Sequence, residues 1–119
     1  MKPKYRNEFV EYIKELLEGH IDISVRPMFG GFGLYSNKQM FGLIADNELY
    51  FKADPAASKV FQELGSDPFT YERNGKTIAM SYWKVPDEVL ENTKLLKQWI
   101  DLASQSSRAS KSKQKGGRV

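Results

Sequence analysis

The sequence predicts an α+β domain, with helices on one face of an antiparallel sheet. Three observations predict it. Apolar residues recur at helical spacing near both ends of the 119-residue chain. Short apolar runs separated by two- or three-residue turn-formers lie between them. Asn74-Gly75 then divides two further strand-like arms. The expected order is α-βββ-α-ββ-α, a three-stranded meander and a hairpin with three helices.

The first helix spans Pro3 to Leu17. Phe9, Ile13, Leu16 and Leu17 stand at i, i+4, i+7 and i+8, one face of a helix, with Glu8, Glu11, Glu15 and Glu18 between them. Gly19 follows the last apolar pair, where a left-handed residue would end the helix. His20 comes next and has no second histidine or cysteine to act with.

The next stretch, Arg26 to Tyr35, holds Gly30, Gly31 and Gly33 among Met28, Phe29 and Phe32. It has two readings, a tight entry turn into a buried strand or a ligand-contacting loop. Strands follow through Phe32–Tyr35, Gln39–Ala45 and Glu48–Ala53. They reverse at Ser36-Asn37-Lys38 and at Asp46-Asn47, residue types that favour turns.

Asp54-Pro55 reads as an N-cap followed by proline in the first helical turn, opening a short helix that ends at Gly65. The hairpin arms are Phe69–Arg73 and Lys76–Trp83. Ile78, Met80 and Tyr82 are expected to face the core, and the small residues Thr77, Ala79 and Ser81 to pack closely on a neighbour. Val85-Pro86 ends the second arm. A helical turn with Val89 and Leu90 leads to the last helix, capped by Asn92 or Thr93. That helix carries an apolar stripe through Leu95, Leu96, Trp99, Ile100, Leu102 and Ala103.

Composition narrows the function. There is no cysteine, which excludes a disulfide framework and thiolate metal sites and fits a reducing cytosol. The amino terminus is charged and amphipathic, so no signal peptide is expected. No run approaches the roughly 18 apolar residues of a membrane span. The net charge of +3 divides unevenly along the chain. Five cations and no acid lie between Ser104 and Val119, which leaves thirteen cations against fifteen acids before them, a net of −2. The tail cannot bury enough apolar surface to offset its ordering. It is expected to be disordered over 107–119, beside a folded domain at 1–106.

The chemistry available to such a chain is limited. Gly30-Gly31-Phe32-Gly33 lacks phosphate-loop spacing and precedes a strand rather than a helix. Ser81-x-x-Lys84 falls on a strand, where i and i+3 point to opposite faces, and the companion motifs of acyl-serine enzymes are missing. One histidine and scattered carboxylates supply neither a nucleophilic triad nor a metal site. Tyr35, Tyr50, Tyr71, Tyr82 and Trp83 are either a stacking surface for single strands or ordinary strand residues filling a core.

One ordered set of segments runs through Val25–Tyr35, Met40–Lys52, Pro68–Tyr71 and Ala79–Pro86. Over roughly residues 8 to 104 it resembles the amino-terminal domain of the TfoX/Sxy family of bacterial competence regulators. The resemblance implies an α+β domain without known catalytic residues. Full-length members look like transcriptional co-activators that carry a second, carboxy-terminal domain; against that pattern, this chain is expected to be a single-domain member with the basic tail after its domain.

The expectation is therefore a cytoplasmic, non-enzymatic regulatory module that meets a protein partner. Its candidate surface comprises Arg26, Met28, Phe29, Gly30, Gly31, Phe32, Gly33, Tyr35 and Trp83. The alternative is direct nucleic-acid binding through Arg108, Lys111, Lys113, Lys115 and Arg118, and a third option is small-ligand sensing by the glycine stretch. No cofactor or membrane contact is expected, and a homodimer is compatible with everything in the sequence.

Overall fold

A computed structural model describes the backbone of residues 2–28 and 30–117 and the side chains of residues 8–28 and 30–108. The elements in chain order are α1 (Lys2–Glu18), β1 (Ser24–Met28), β2 (Gly31–Ser36), β3 (Gln39–Ala45) and β4 (Glu48–Lys52). They continue with α2 (Pro55–Glu63), β5 (Pro68–Arg73), β6 (Lys76–Lys84), α3 (Asp87–Leu90) and α4 (Thr93–Gly117). The fold is α+β, as the sequence predicts. Its six strands form one antiparallel sheet in the order β1-β2-β3-β4-β6-β5.

The tight turns follow from residue type. Asn37-Lys38, Asp46-Asn47 and Asn74-Gly75 each join two strands with positive φ at both positions. That geometry matches the twist of the flanking strands. Asp54 caps α2, its Oδ1 accepting from the Ala57 N–H at 2.9 Å, and Gly65 follows the helix at φ 87°. At α4 the choice between two caps falls on Asn92, whose Oδ1 accepts from the Leu95 N–H at 3.1 Å. The short α3 is the helical turn expected around Val89 and Leu90.

Three expectations need correction. Gly19 is not among the residues with positive φ; the end of α1 is closed instead by the Leu17 carbonyl, which accepts from the N–H groups of both His20 and Ile21. Arg26-Pro27-Met28 is not an entry turn but part of β1, a sixth strand in which proline is tolerated because the strand is at an edge. Ile78, Met80 and Tyr82 stay out of the main core, which takes Trp83 as a flanking member instead. The helical backbone of α4 runs to Gly117, with Ser106 and Ser107 buried and Arg108 the last residue whose side chain is described.

One face of the sheet holds the main core. Across it, Val25, Leu34, Gly42, Phe51, Trp83 and Pro68 stand on one rung and Pro27, Phe32, Ile44 and Leu49 on the next. Side chains from all four helices close over them, including Ile13 and Leu17 of α1, Phe61 of α2, Val89 of α3 and Trp99 of α4. Phe61 and Trp99 stack with centroids 4.1 Å apart. Two polar contacts fix the far end of this layer. The Asp54 N–H donates to Ser106 Oγ at 2.9 Å, and Ser107 Oγ donates to Gln39 Oε1 at 3.1 Å.

Candidate functional site: the helix-free face of the sheet

Alternation along each strand turns a second set of residues away from the helices. Arg26, Gly33, Leu43, Tyr50 and Lys84 form a continuous rung over five strands. Tyr35 pairs with Met40, and Lys52 with Tyr82, on the same face. Leu43 and Tyr82 are each only 7% exposed, yet neither belongs to the main core. They are covered from within the face. A side chain at Gly33 would meet Met28 Sδ, Tyr35 Cε1 and Met40 Sδ, so those three groups close over the gap glycine leaves.

Cations lie against aromatic rings here. The Arg26 guanidinium is 5.3 Å from the Tyr35 ring centre, and Lys52 Nζ is 5.2 Å from that of Tyr82. Lys52 Nζ also donates to Ser81 Oγ at 2.9 Å, and partial burial holds its pKa below the ordinary lysine value. Lys84 Nζ lies 3.5 Å from Glu48 Oε2, an exposed pair of small energetic weight. Burial raises the Tyr50 phenol, with the Glu48 charge adding to it. Tyr50 meets Phe69 edge-on at 5.0 Å.

Tyr82 is the most perturbed of these groups. Burial, helped by Tyr35, pushes its pKa up to about 12, and its hydroxyl donates to the Met40 carbonyl at 3.4 Å. The unfolded chain gives up this proton near pH 10. The neutral form therefore contributes fully below pH 10, and its contribution fades as pH rises through about 12. Stability is expected to drop by about 2 kcal/mol across that window. Urea unfolding of Tyr82→Phe should show a shallower alkaline loss than the intact chain.

The structure divides the candidate surface named from sequence. Arg26, Met28, Gly33 and Tyr35 come together on the helix-free face. Phe32 and Trp83 go to the opposite face and pack against the main core, so they leave the candidate surface. Gly30 sits in the β1–β2 turn with φ 76°, and Gly31 lies so close to the Ile44 carbonyl that it has a packing role. Phe29 and Arg118 lie outside the described residues. Lys111, Lys113 and Lys115 fall on the α4 backbone with side chains outside them, while Arg108 is exposed.

Sequence reasoning missed Met40, Leu43 and Lys52 as surface-building residues. The signal that could have found them is the alternation of β3 against β4 once their register is known. A depression of about 420 Å³ lies at the Lys84 end of the rung that begins at Arg26, between Asn47, Glu48, Ser66, Asp67, Lys84 and Asp87, with no member of the glycine stretch in its lining. Among the described residues no group of three or more His, Cys, Asp or Glu side chains is placed to hold a metal ion.

With this geometry in place, comparison with known proteins is decisive for the family. The model described as the TfoX N-terminal domain matches residues 15–107. The chain belongs to this family. In this TfoX N-terminal domain the match runs from within α1 to Ser107, the residue that ties α4 to Gln39. The chain is 25% identical over 101 residues to the DNA transformation protein TfoX of Haemophilus influenzae, covering 82% of this chain and 46% of that protein. It is 27% identical over 100 residues to the DNA transformation protein TfoX1 of Aliivibrio fischeri, covering 84% and 46%. Protein Sxy of Escherichia coli is 24% identical over 70 residues, covering 59% and 34%. The chain spans about half the length of the first two relatives. No described helix is long and apolar enough to cross a membrane.

Proposed function

We propose that the chain is a cytoplasmic, non-enzymatic regulatory module of the competence-regulator type, which binds a protein partner across the helix-free face. The observation that carries this is the burial of Leu43 and Tyr82 on a face that, among the described residues, no helix covers. Methionines and tyrosines around them offer an adaptable apolar surface, while Arg26, Lys52 and Lys84 at intervals favour a partner with acidic groups at matching places. The names of the relatives point to DNA transformation as the setting.

A photo-crosslinking residue in place of Tyr35 tests this in cells. It is expected to capture a protein of the transcription apparatus, and the same residue in place of the exposed Gln98 on α4 is not. Met40→Asp should reduce the Tyr35 product at least about tenfold, by placing a charge in the apolar centre of the contact. Equal capture from both positions, or no effect of Met40→Asp in a folded chain, would sink the assignment.

A second reading, nucleic-acid contact through the carboxy-terminal cations, is favoured by one observation. Arg108, Lys111 and Lys115 are spaced i, i+3 and i+7 along the helical backbone of α4. A chain ending at Ser107 loses all five cations but keeps the packed Ser106 and Ser107. If the cations contact phosphates, log affinity for duplex DNA should fall with log salt at a slope no steeper than about −4.5, and truncation should abolish binding. Indifference of binding to the truncation rules this contact out.

A further inference from the structure

The β5–β6 hairpin leaves the body of the sheet as an arm. β4 pairs with β6 only at Tyr50↔Lys84, Phe51↔Trp83 and Lys52↔Tyr82. The last backbone bond on that side is donated by the Ala53 N–H to the Ser81 carbonyl, at 2.9 Å. The chain then turns away at Asp54 into α2. From Lys76 to Met80, β6 keeps β5 on one side and, among the described residues, has no strand on the other. Thr70 to Thr77 and Ala79 to Ser81 are exposed, and only Ile78 is partly covered. A two-stranded ribbon without further cover is marginal in water.

The open edge carries backbone groups ready to bond. The Ser81 carbonyl points to this edge, and alternation turns the N–H and C=O of Thr77 and Ala79 the same way. The turn gives the same answer. Arg73 and Lys76 flank Asn74-Gly75 as a mutually bonded pair, so Lys76 and Ile78 direct their backbone groups at β5. The other two edges of the sheet are blunted, β1 by Arg26 and Pro27, β5 by Pro68, Glu72 and Arg73. Thr77-Ile78-Ala79 has neither charge nor proline. Across the ribbon Ile78 faces Tyr71, which with Met80 is among the larger exposed apolar side chains of the domain.

We propose that this edge pairs antiparallel with the same edge of a second copy of the chain, with Ile78 on the two-fold axis. A second copy fits because the segment is self-complementary. Pairing about Ile78 sets Thr77 opposite Ala79 twice, and each pair exchanges two backbone hydrogen bonds. It also sets Lys76 opposite Met80, so the tip cations Arg73 and Lys76 do not meet their own copies, a juxtaposition that destabilises strand pairs. The product is a four-stranded ribbon, β5-β6-β6-β5, in which each arm supplies the cover the other lacks. The interface is isologous and closed. It is separate from the helix-free face and does not rest on it.

Sedimentation of the intact chain across the micromolar range tests the proposal, with Thr77→Pro beside it. Proline removes an outward N–H that bonds nothing among the described residues and, with it, only the exposed Thr77 Oγ1–Glu72 Oε2 bond, so the arm itself is expected to persist. The intact chain should dimerise, and Thr77→Pro should weaken the dimer roughly tenfold or more, since two of four edge hydrogen bonds are lost. The chain has no cysteine, so Ile78→Cys gives an independent measurement. Facing residues between bonded pairs have Cα atoms about 4.5 Å apart, within disulfide reach. Mild oxidation should therefore yield a covalent dimer from Ile78→Cys and none from Glu88→Cys on α3. A monomeric intact chain, a dimer indifferent to Thr77→Pro, or equal crosslinking from both cysteines would each overturn the proposal. Should Thr77→Pro fail to fold, the two cysteine variants decide alone.

Discussion

Gly31→Ala is expected to cost the domain at least about 3 kcal/mol, and to leave much of it unfolded near body temperature. A Cβ at this position meets the Ile44 carbonyl oxygen, with the Ala45 Cα at ordinary contact distance beside it. Both are backbone atoms of β3, held in place by β2 on one side and β4 on the other. No rotamer change can relieve the clash, so two strands must part. Gly33→Ala supplies the contrast two residues along the same strand. There the new methyl meets the ends of Met28, Tyr35 and Met40, and thioether side chains adjust readily. That variant should lose about 1 kcal/mol. Urea midpoints of the two variants, read side by side, check the prediction. Similar losses at both positions would mean that the β2–β3 backbone gives way more easily than its register implies.

Trp99→Ala should lose about 3–5 kcal/mol, a large fraction of the stability of a domain this size. Trp99 is 1% exposed, stacks on Phe61, and carries the α4 side of a core to which all four helices contribute. Its removal leaves a cavity whose walls belong to separate elements, so local collapse cannot fill it. Trp99→Phe keeps a ring against Phe61 and should lose less than half as much. Thermal unfolding followed by circular dichroism measures both. Trp83 is the other of the chain's two tryptophans, and its fluorescence reports whether the sheet survives once α4 loosens.

Both variants probe residues whose importance differs in how far it can be read from the chain. Trp99 belongs to an apolar stripe at helical spacing, and the stripe alone places it in a core. Gly31 is one of three glycines in four residues, and sequence gives no means of telling which one abuts backbone and which one leaves room for methionines. The same limit shows at Tyr35, Phe32 and Trp83. All three are strand aromatics near the glycine stretch, yet they divide between the two faces. In the second hairpin arm, the alternation of Ile78, Met80 and Tyr82 with Ala79, Ser81 and Trp83 is visible in the sequence. Its sense is not, because only the end of that arm nearest Trp83 lies over the helices.

What the chain determines by itself is local: the cap at Asp54, the reversals at Ser36-Asn37-Lys38, Asp46-Asn47 and Asn74-Gly75, and the stripes of the first and last helices. Each depends on a few consecutive residues and their own backbone bonds. Only the tertiary structure decided that Ser24–Met28 is a strand, that Leu43 and Tyr82 gather on a helix-free face, and that Thr77 and Ala79 lie on an open edge. The first depends on pairing with β2 at the sheet edge, and the last two on inserting β6 between β4 and β5. That pairing joins segments about thirty residues apart, and side-chain periodicity carries no record of which strand a given edge will meet.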